Sequence, residues 1–383
     1  MIPKFFSKLI NPTSSEKELK SQIGWLFFSN HDRELLDQLL DIDADENVLD
    51  ELGVGRLRDI ISNRLFPGTA TNHTRAKYYF FFPYILYDYQ RKCQKNEKPE
   101  NIFEFVKKKE LDLRDKLSKI YGNDSAEPKE KGIIGITKAR RDIRILPSEI
   151  YWSGISEFQL IKVKGKSRKW YLSYLQKLDL INYSQAEDDV DNCVNDLRIN
   201  VPPPSQNWME NLSITLNSAE ANILEARIID SVPNSLFPNM LSAEQDLIKF
   251  KFREFAKIQV AKNEIDKDLI EILRFAHDFS LITDIIYSGY NLLLQQSAFG
   301  NNSVDDWKLR IDDYRSQSLA QEFNVKLMFQ KYFRHTLKSP IVYNAIHFID
   351  DFVKLLHSDN FNMSDEIKQR IVSRERTGKG PRA

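Results

Sequence analysis

Three groups of residues in this 383-residue chain could carry chemistry: metal ligands and nucleophiles, paired carboxylates, and cations that hold phosphates. The first group is thin. His31, His73, His277, His335, His347 and His357 make no HxH, HxxxH or HExxH spacing, so zinc-type ligation is not encoded locally. Cys93 and Cys193 stand far apart without a CxxC, which signals neither a disulfide framework nor a metal site. Gly53-Val54-Gly55 lacks the third glycine of a dinucleotide loop and reads as a turn between helices. GxxxxGK[ST] and GxSxG are both missing. Glu127-Pro128-Lys129 lies in a charged hinge and Glu366-Ile367-Lys368 in a helical stretch, so neither resembles the strand-borne carboxylates of a metal-dependent nuclease. No catalytic residue, metal site or cofactor is expected.

The cations are more informative. The chain has 55 Lys+Arg against 55 Asp+Glu, a formal charge of zero, which excludes a uniformly basic surface that coats nucleic acid. The zero arises by cancellation. Residues 31–60 carry ten acidic and three basic side chains. Residues 131–170 carry ten basic ones, Lys131, Lys138, Arg140, Arg141, Arg144, Lys162, Lys164, Lys166, Arg168 and Lys169, against Asp142, Glu149 and Glu157. From Ser364 onward the tail has six basic and three acidic residues. The basic segment is interleaved with Tyr151, Trp152, Trp170 and Tyr171, and cations with aromatics suit phosphates and bases. Two other readings stay open: a solvated face over core aromatics, and internal docking of the acidic block on the basic one.

A second phosphate-like constellation is Leu65-Phe66-Pro67-Gly68-Thr69-Ala70-Thr71, followed by Thr74-Arg75-Ala76-Lys77-Tyr78. Hydroxyls and cations around a Pro-Gly turn can capture an anion, with Arg75 and Lys77 as backbone contacts. The alternative is a capped loop whose threonines satisfy local backbone groups.

These residues must be positioned by elements, and most of the chain reads as helix. Leu35, Leu36, Leu39 and Leu40 mark one helix face after Ser29-Asn30, and a second helix runs from Arg56 to about Leu65. An aromatic segment from Arg75 to about Arg91 follows, with Pro83 expected to kink it or delay its start. Residues 92–131 read as a linker region holding one exposed helix and the solvated hinge NDSAEPKEK. Pro147-Ser148-Glu149 starts a helix carrying Ile150, Tyr151, Trp152, Ile155 and Phe158. Residues 159–163 and 170–174 alternate around the turn KGKS, so helix plus basic hairpin would make a winged helix. The other reading takes 168–175 as another helix. Pro202-Pro203-Pro204 reads as a rigid linker. Beyond it Asn217 with Glu220, and Ser242 with Gln245, are spaced as capping boxes, and helical periodicity marks 265–296, 316–335, 342–357 and 364–375. The expected fold is mainly α: a helical N-terminal domain over 1–125 with the LFPGT loop, a small α+β, winged-helix-like domain over 126–205, and a helical C-terminal domain over 206–383.

The segments GWLFFSNHDR (24–33), DELGVGRLRD (50–59), LFPGTATNHTRAKYYFFFPYI (65–85), GIIG (132–135) with LPSEIYWSGI (146–155), HDFSLITDIIYSGYNLLL (277–294) and RIVSRERTGKGPRA (370–383) resemble a prokaryotic family of unknown function. Its members read roughly GWLDFS, DELGIG, LFPGTST, RARYFLFVPW and LPSSIYW. Phe27 departs from the common Asp, and Asn72-His73 departs within the threonine loop. The stop just after the basic tail motif leaves room for a missing C-terminal segment. The resemblance implies no catalytic activity. It implies a genomic setting beside helicases and modification enzymes in anti-phage defence islands.

The sequence therefore leads to a non-enzymatic, nucleic-acid-contacting subunit of a bacterial defence complex, with a helicase as one candidate partner. DNA would meet Arg140, Arg141, Arg144, Lys162, Lys164, Lys166, Arg168 and Lys169, with Arg75 and Lys77 as secondary contacts. The C-terminal helices would bind partner subunits. Two alternatives are a scaffold without DNA contact and a nuclease with a dispersed site. No window approaches the roughly 20 apolar residues of a membrane helix, and no signal peptide is apparent, so a cytoplasmic protein without membrane contact is expected.

Overall fold

Residues 77–86 are buried without interruption, which no amphipathic surface helix allows. Residues 78–86 form the first half of an aromatic helix, α2, and that half is covered on every side. The structure is a computed structural model and describes residues 52, 54–70, 72–94, 101–121, 132–185, 197–241, 266–299, 323–356 and 369–374. The described helices are α1 (Gly55–Leu65), α2 (Tyr78–Gln94), α3 (Ile102–Tyr121), α4 (Pro147–Glu157), α5 (Arg168–Gln185), α6 (Ser218–Ser231), α7 (Leu236–Leu241), α8 (Lys267–Phe299), α9 (Val325–Tyr332) and α10 (Pro340–Leu356). The helix expected near residues 30–40, most of the acidic block, the hinge, Lys131 and the Ser242–Gln245 box lie outside the described residues.

The helices fall into two compact units. The first spans the described residues from 66 to 241 and is organised around α2, which packs on α3 and α4 while α5 packs on both of those. Pro83 does not delay α2. The helix opens at Tyr78 on tight i to i−3 bonds, Tyr78 N–H to Arg75 O (3.2 Å) and Tyr79 N–H to Ala76 O (3.1 Å), and runs on through the proline. Helix α3 is capped by Asn101, whose side chain accepts from Phe103 N–H at 2.9 Å. It is not an exposed linker helix. Ile102, Phe105, Val106, Leu113 and Leu117 are buried at helical spacing and join the core of α2.

The middle region is not a winged helix. Among the described residues there is no strand there; one isolated antiparallel bridge joins Ile161 to Ile199. Residues expected as the second hairpin strand begin α5. Ser167 caps that helix, its Oγ accepting from Trp170 N–H at 3.1 Å. Tyr171, Leu172 and Leu175 then face the core with helical spacing. The same residues alternate only by accident of the intervening serine and polar positions.

The second unit contains α1, α8, α9 and α10. Helix α8 packs on α1 and α9, and α10 packs on the same two. Val342, Ala345, Ile346, Ile349, Phe352 and Val353 give α10 a single apolar stripe. The helical residues 369–374 close this unit: Arg374 Nε donates to Leu52 O at 2.7 Å, and its guanidinium lies 5.7 Å from the Phe348 ring.

One close approach sets the geometry of the first unit. A side chain carbon on Gly154 of α4 would stand 2.4 Å from Gly68 O and 2.4 Å from a Tyr79 ring carbon. Gly68 also has φ +75°, where a β-carbon is strained. Gly154→Ala is expected to lower stability by about 1–3 kcal/mol, the usual cost of overpacking, read as a reduced urea midpoint with an unchanged slope.

Candidate functional site

The threonine loop is built inward. Thr69 Oγ1 donates to Phe66 O (2.8 Å) and Thr74 Oγ1 to Gly132 O (2.6 Å). The backbone N–H groups of Thr74 and Arg75 both donate to the Tyr151 hydroxyl, at 2.6 and 3.0 Å. The His73 ring stacks on Tyr151 with centroids 4.2 Å apart. Its Nδ1 accepts from Ala70 N–H (3.3 Å), so Nε2 carries the hydrogen donated to Ile150 O (2.9 Å). Burial holds the His73 imidazole below its usual pKa, in keeping with that neutral form. The Thr69 and Thr74 hydroxyls are thus spent on backbone carbonyls, and the Thr74 and Arg75 N–H groups hold the loop against α4. Arg75 is half-buried beside Gly132.

Lys77 is buried. Its ammonium donates to both Glu220 oxygens, at 2.5 and 2.6 Å, across 143 positions of sequence. Glu220 also accepts from the Tyr84 hydroxyl (2.8 Å) and from Asn217 N–H (2.9 Å), the second half of the capping box that starts α6. Burial, with the Glu220 charge beside it, pushes the Tyr84 hydroxyl well above its ordinary pKa. The pair borders a cavity of about 310 Å³, with Phe81, Tyr84 and Trp208 among its walls and Pro203 and Pro204 at its edge. Sequence reasoning placed Lys77 on a phosphate; its spacing from Glu220 is too long to reveal the partner.

The basic segment divides into two classes. In the first, cations are answered by acids. Arg140 donates to Asp112 (2.7 Å) and Asp115 (2.8 Å) of α3, Arg168 to Glu149 (2.5 Å), and Lys164 pairs with Glu157 (2.9 Å). Asp115 is held below the usual carboxylate range, first by its hydrogen bond from Arg114 and then by the Arg114 and Arg140 charges. Arg114 itself donates to the carbonyls of Gly135 and Lys138 and so fixes the loop that carries Arg140. Arg141 is exposed, 3.8 Å from Asp142, and Arg144 is exposed on the same loop.

The second class lies on and beside α5. Lys162, Lys166, Lys169 and Lys177 are exposed, and none has a carboxylate within ion-pair distance among the described residues. On α5 itself stands Trp170, 40% exposed, parallel to the Tyr174 ring at 5.5 Å between centroids. The Lys166 ammonium lies 5.2 Å from the Trp170 centroid, and the Arg198 guanidinium 4.9 Å from that of Tyr174. Lys169, Trp170, Tyr174 and Lys177 share an arc of about 140° at 100° per residue, opposite the buried Tyr171, Leu172 and Leu175. Arg198 is held there by backbone in the left-handed region, φ +54°, next to the Ile161–Ile199 bridge. Tyr174, Lys177 and Arg198 escaped sequence reasoning because the face appears only once 168–185 is a helix. Ser167 before a 3.6-residue apolar period is the signal that finds it.

No cluster of three or more His, Cys, Asp or Glu side chains suited to a metal occurs among the described residues. No helix among them is long and apolar enough to cross a membrane. The model of a family of unknown function (DUF6361) matches residues 20–378, so the chain belongs to that family. No curated protein and no solved structure matches the chain.

Two measurements check the polar core. Lys77→Met leaves the Glu220 carboxylate buried without its counter-charge and is expected to cost about 3–5 kcal/mol, whereas Lys77→Met/Glu220→Leu should cost less than the sum of the single changes. Glu110 of α3, buried, accepts from Ser148 N–H (2.7 Å) and Ser148 Oγ (2.9 Å) at the start of α4, and burial pushes its carboxyl up to about 7. A carboxyl whose pKa is raised on folding stabilises most below its unfolded value and loses that contribution as pH rises through about 7. His73 works oppositely, its contribution being lost as pH falls below the unfolded histidine value. Glu110→Gln should therefore gain on the wild type as pH rises from about 4.5 to 7.5, by up to about 3 kcal/mol, in paired urea titrations across pH.

Proposed function

We propose that this member of DUF6361 is a non-enzymatic, nucleic-acid-contacting subunit of a bacterial anti-phage defence complex, recruiting or regulating a partner such as a helicase. The observation that supports it is the surface on and beside α5: four exposed lysines unanswered by acids among the described residues, with Trp170 exposed on the helix and Lys166 over its ring. Cations without acidic partners favour a polyanion, which releases its own counterions on binding. The defence setting rests on the resemblance described above. In the second unit, Leu327, Ile341 and Tyr343 are exposed apolar groups among the described residues that a protein partner could cover.

The contact is assigned to Lys162, Lys166, Lys169 and Lys177 rather than to Arg140, whose guanidinium already has two carboxylates. That occupancy favours a second, scaffolding role for Arg140, Lys164 and Arg168, which tie loops to helices.

Charge reversal separates the two sets. Lys162→Glu/Lys169→Glu/Lys177→Glu is expected to abolish binding of fluorescent DNA near 50 mM salt without lowering the melting temperature. Each single lysine replacement should reduce the slope of log affinity against log salt by about 1. Arg140→Glu should lower the melting temperature and leave that slope unchanged. If neither duplex nor single-stranded DNA binds near 50 mM salt, the reading falls.

A further inference from the structure

We infer that the ligand of the α5 face is a single strand, with one base stacked on Trp170; this rests on the nucleic-acid reading above. A duplex offers phosphates to any basic surface but keeps its bases stacked inside. A single strand offers both phosphates and open ring faces, and an exposed aromatic flanked by cations answers both. Trp170 has that setting. Its indole lies parallel to Tyr174 in a row that continues to Arg198, so the ring is held in one orientation before any ligand arrives. Ser167 and the first turn of α5 fix its backbone.

The neighbouring lysine completes the device. The Lys166 ammonium rests 5.2 Å from the Trp170 centroid, on an exposed four-carbon stem. Its backbone is held independently: Lys166 O accepts from Trp152 Nε1 at 2.8 Å, and Lys166 N–H donates to Val163 O at 2.9 Å. The side chain can therefore leave the indole without disturbing the turn. An incoming base takes the ring face, and the displaced ammonium meets the adjoining phosphate. Lys169 and Lys177, on the same arc of α5, follow the backbone on either side. One exposed tryptophan among lysines is a small apolar area, which suits a base better than a lipid surface.

The test uses the full chain and a labelled oligothymidine of twenty nucleotides, beside a duplex of equal length and anionic phospholipid vesicles. The single strand is expected to bind more tightly than the duplex, with log affinity falling against log salt at a slope of about −3 for four lysines. Binding should quench tryptophan fluorescence. Trp170→Ala should weaken the single strand about 5- to 100-fold, with Trp170→Leu, which keeps the bulk but not the ring, as weak as alanine. Trp170→Phe should retain most of the affinity. Equal binding of duplex and single strand, with both Trp170→Ala and Trp170→Leu neutral, overturns the stacking inference and leaves the broader reading standing. Failure of every DNA form to bind the wild type overturns both. Vesicle binding lost in Trp170→Ala, in place of DNA binding, assigns the face to a membrane and also overturns both.

Discussion

The ion pair between Lys77 and Glu220 is the constraint around which the first unit is arranged. Taking both charges out of water costs several kcal/mol per ion and is repaid only where every remaining valence is met. Here Glu220 is also bonded by the Tyr84 hydroxyl and by the first free N–H of α6, so its position is fixed from three directions. The pair joins the residue just before the aromatic helix to the start of a helix 143 residues later. Because the first half of α2 is buried all round, everything else must wrap it: the threonine loop with α4, then α3, then residues 197–216 with Trp208, Leu212, Ile214 and Leu216. The close Gly68–Gly154 contact and the Tyr151 hydroxyl, which takes the N–H groups of Thr74 and Arg75, are how that wrapping seats the loop on α4.

Wrapping a charged sequence around an aromatic helix sorts its cations. Those that anchor a segment are matched with acids or carbonyls, whether buried, as Lys77 is, or at the surface, as Arg140 is. Lys77 takes Glu220, Arg114 takes the carbonyls of the 135–138 turn, and Arg140 takes the two aspartates of α3. Their work is to hold segments that lack regular hydrogen bonding of their own. Lysines on the outer arc of α5 have no such task, since α5 is already anchored by Tyr171, Leu172 and Leu175. A basic segment in sequence thus becomes two populations in space, one paired with acids and one with no carboxylate within ion-pair distance among the described residues.

Local signals in the sequence carried the helices well. The Asn217–Glu220 box and the Pro147-Ser148-Glu149 start both appear as expected, and Thr69 and Thr74 of the loop do satisfy backbone carbonyls. What failed was decided by non-local contacts. Residues 170–174 alternate in polarity, and strand and helix compete until the core chooses; Ser167 and the three apolar residues facing α3 and α4 choose helix. Helix α3 looked like an exposed linker because its charges outnumber its apolar residues, yet those few are spaced to lie on one side. No spacing rule could pair Lys77 with Glu220, and the α5 face could not be drawn before its helix existed.

Zero net charge has little bearing on whether such a face works. At physiological salt the screening length is about 8 Å, so any charge placed at Trp170 would feel the nearest lysines and little of the charge elsewhere. Acids that neutralise Arg140 and Arg168 are spent within their own pairs, and each tight pair acts on its surroundings as a dipole rather than as two charges. Pairing therefore sharpens the contrast between the answered cations and the open ones. The more completely the core consumes its acids, the more distinct the remaining lysines become, and a chain of no net charge can hold one strongly basic face.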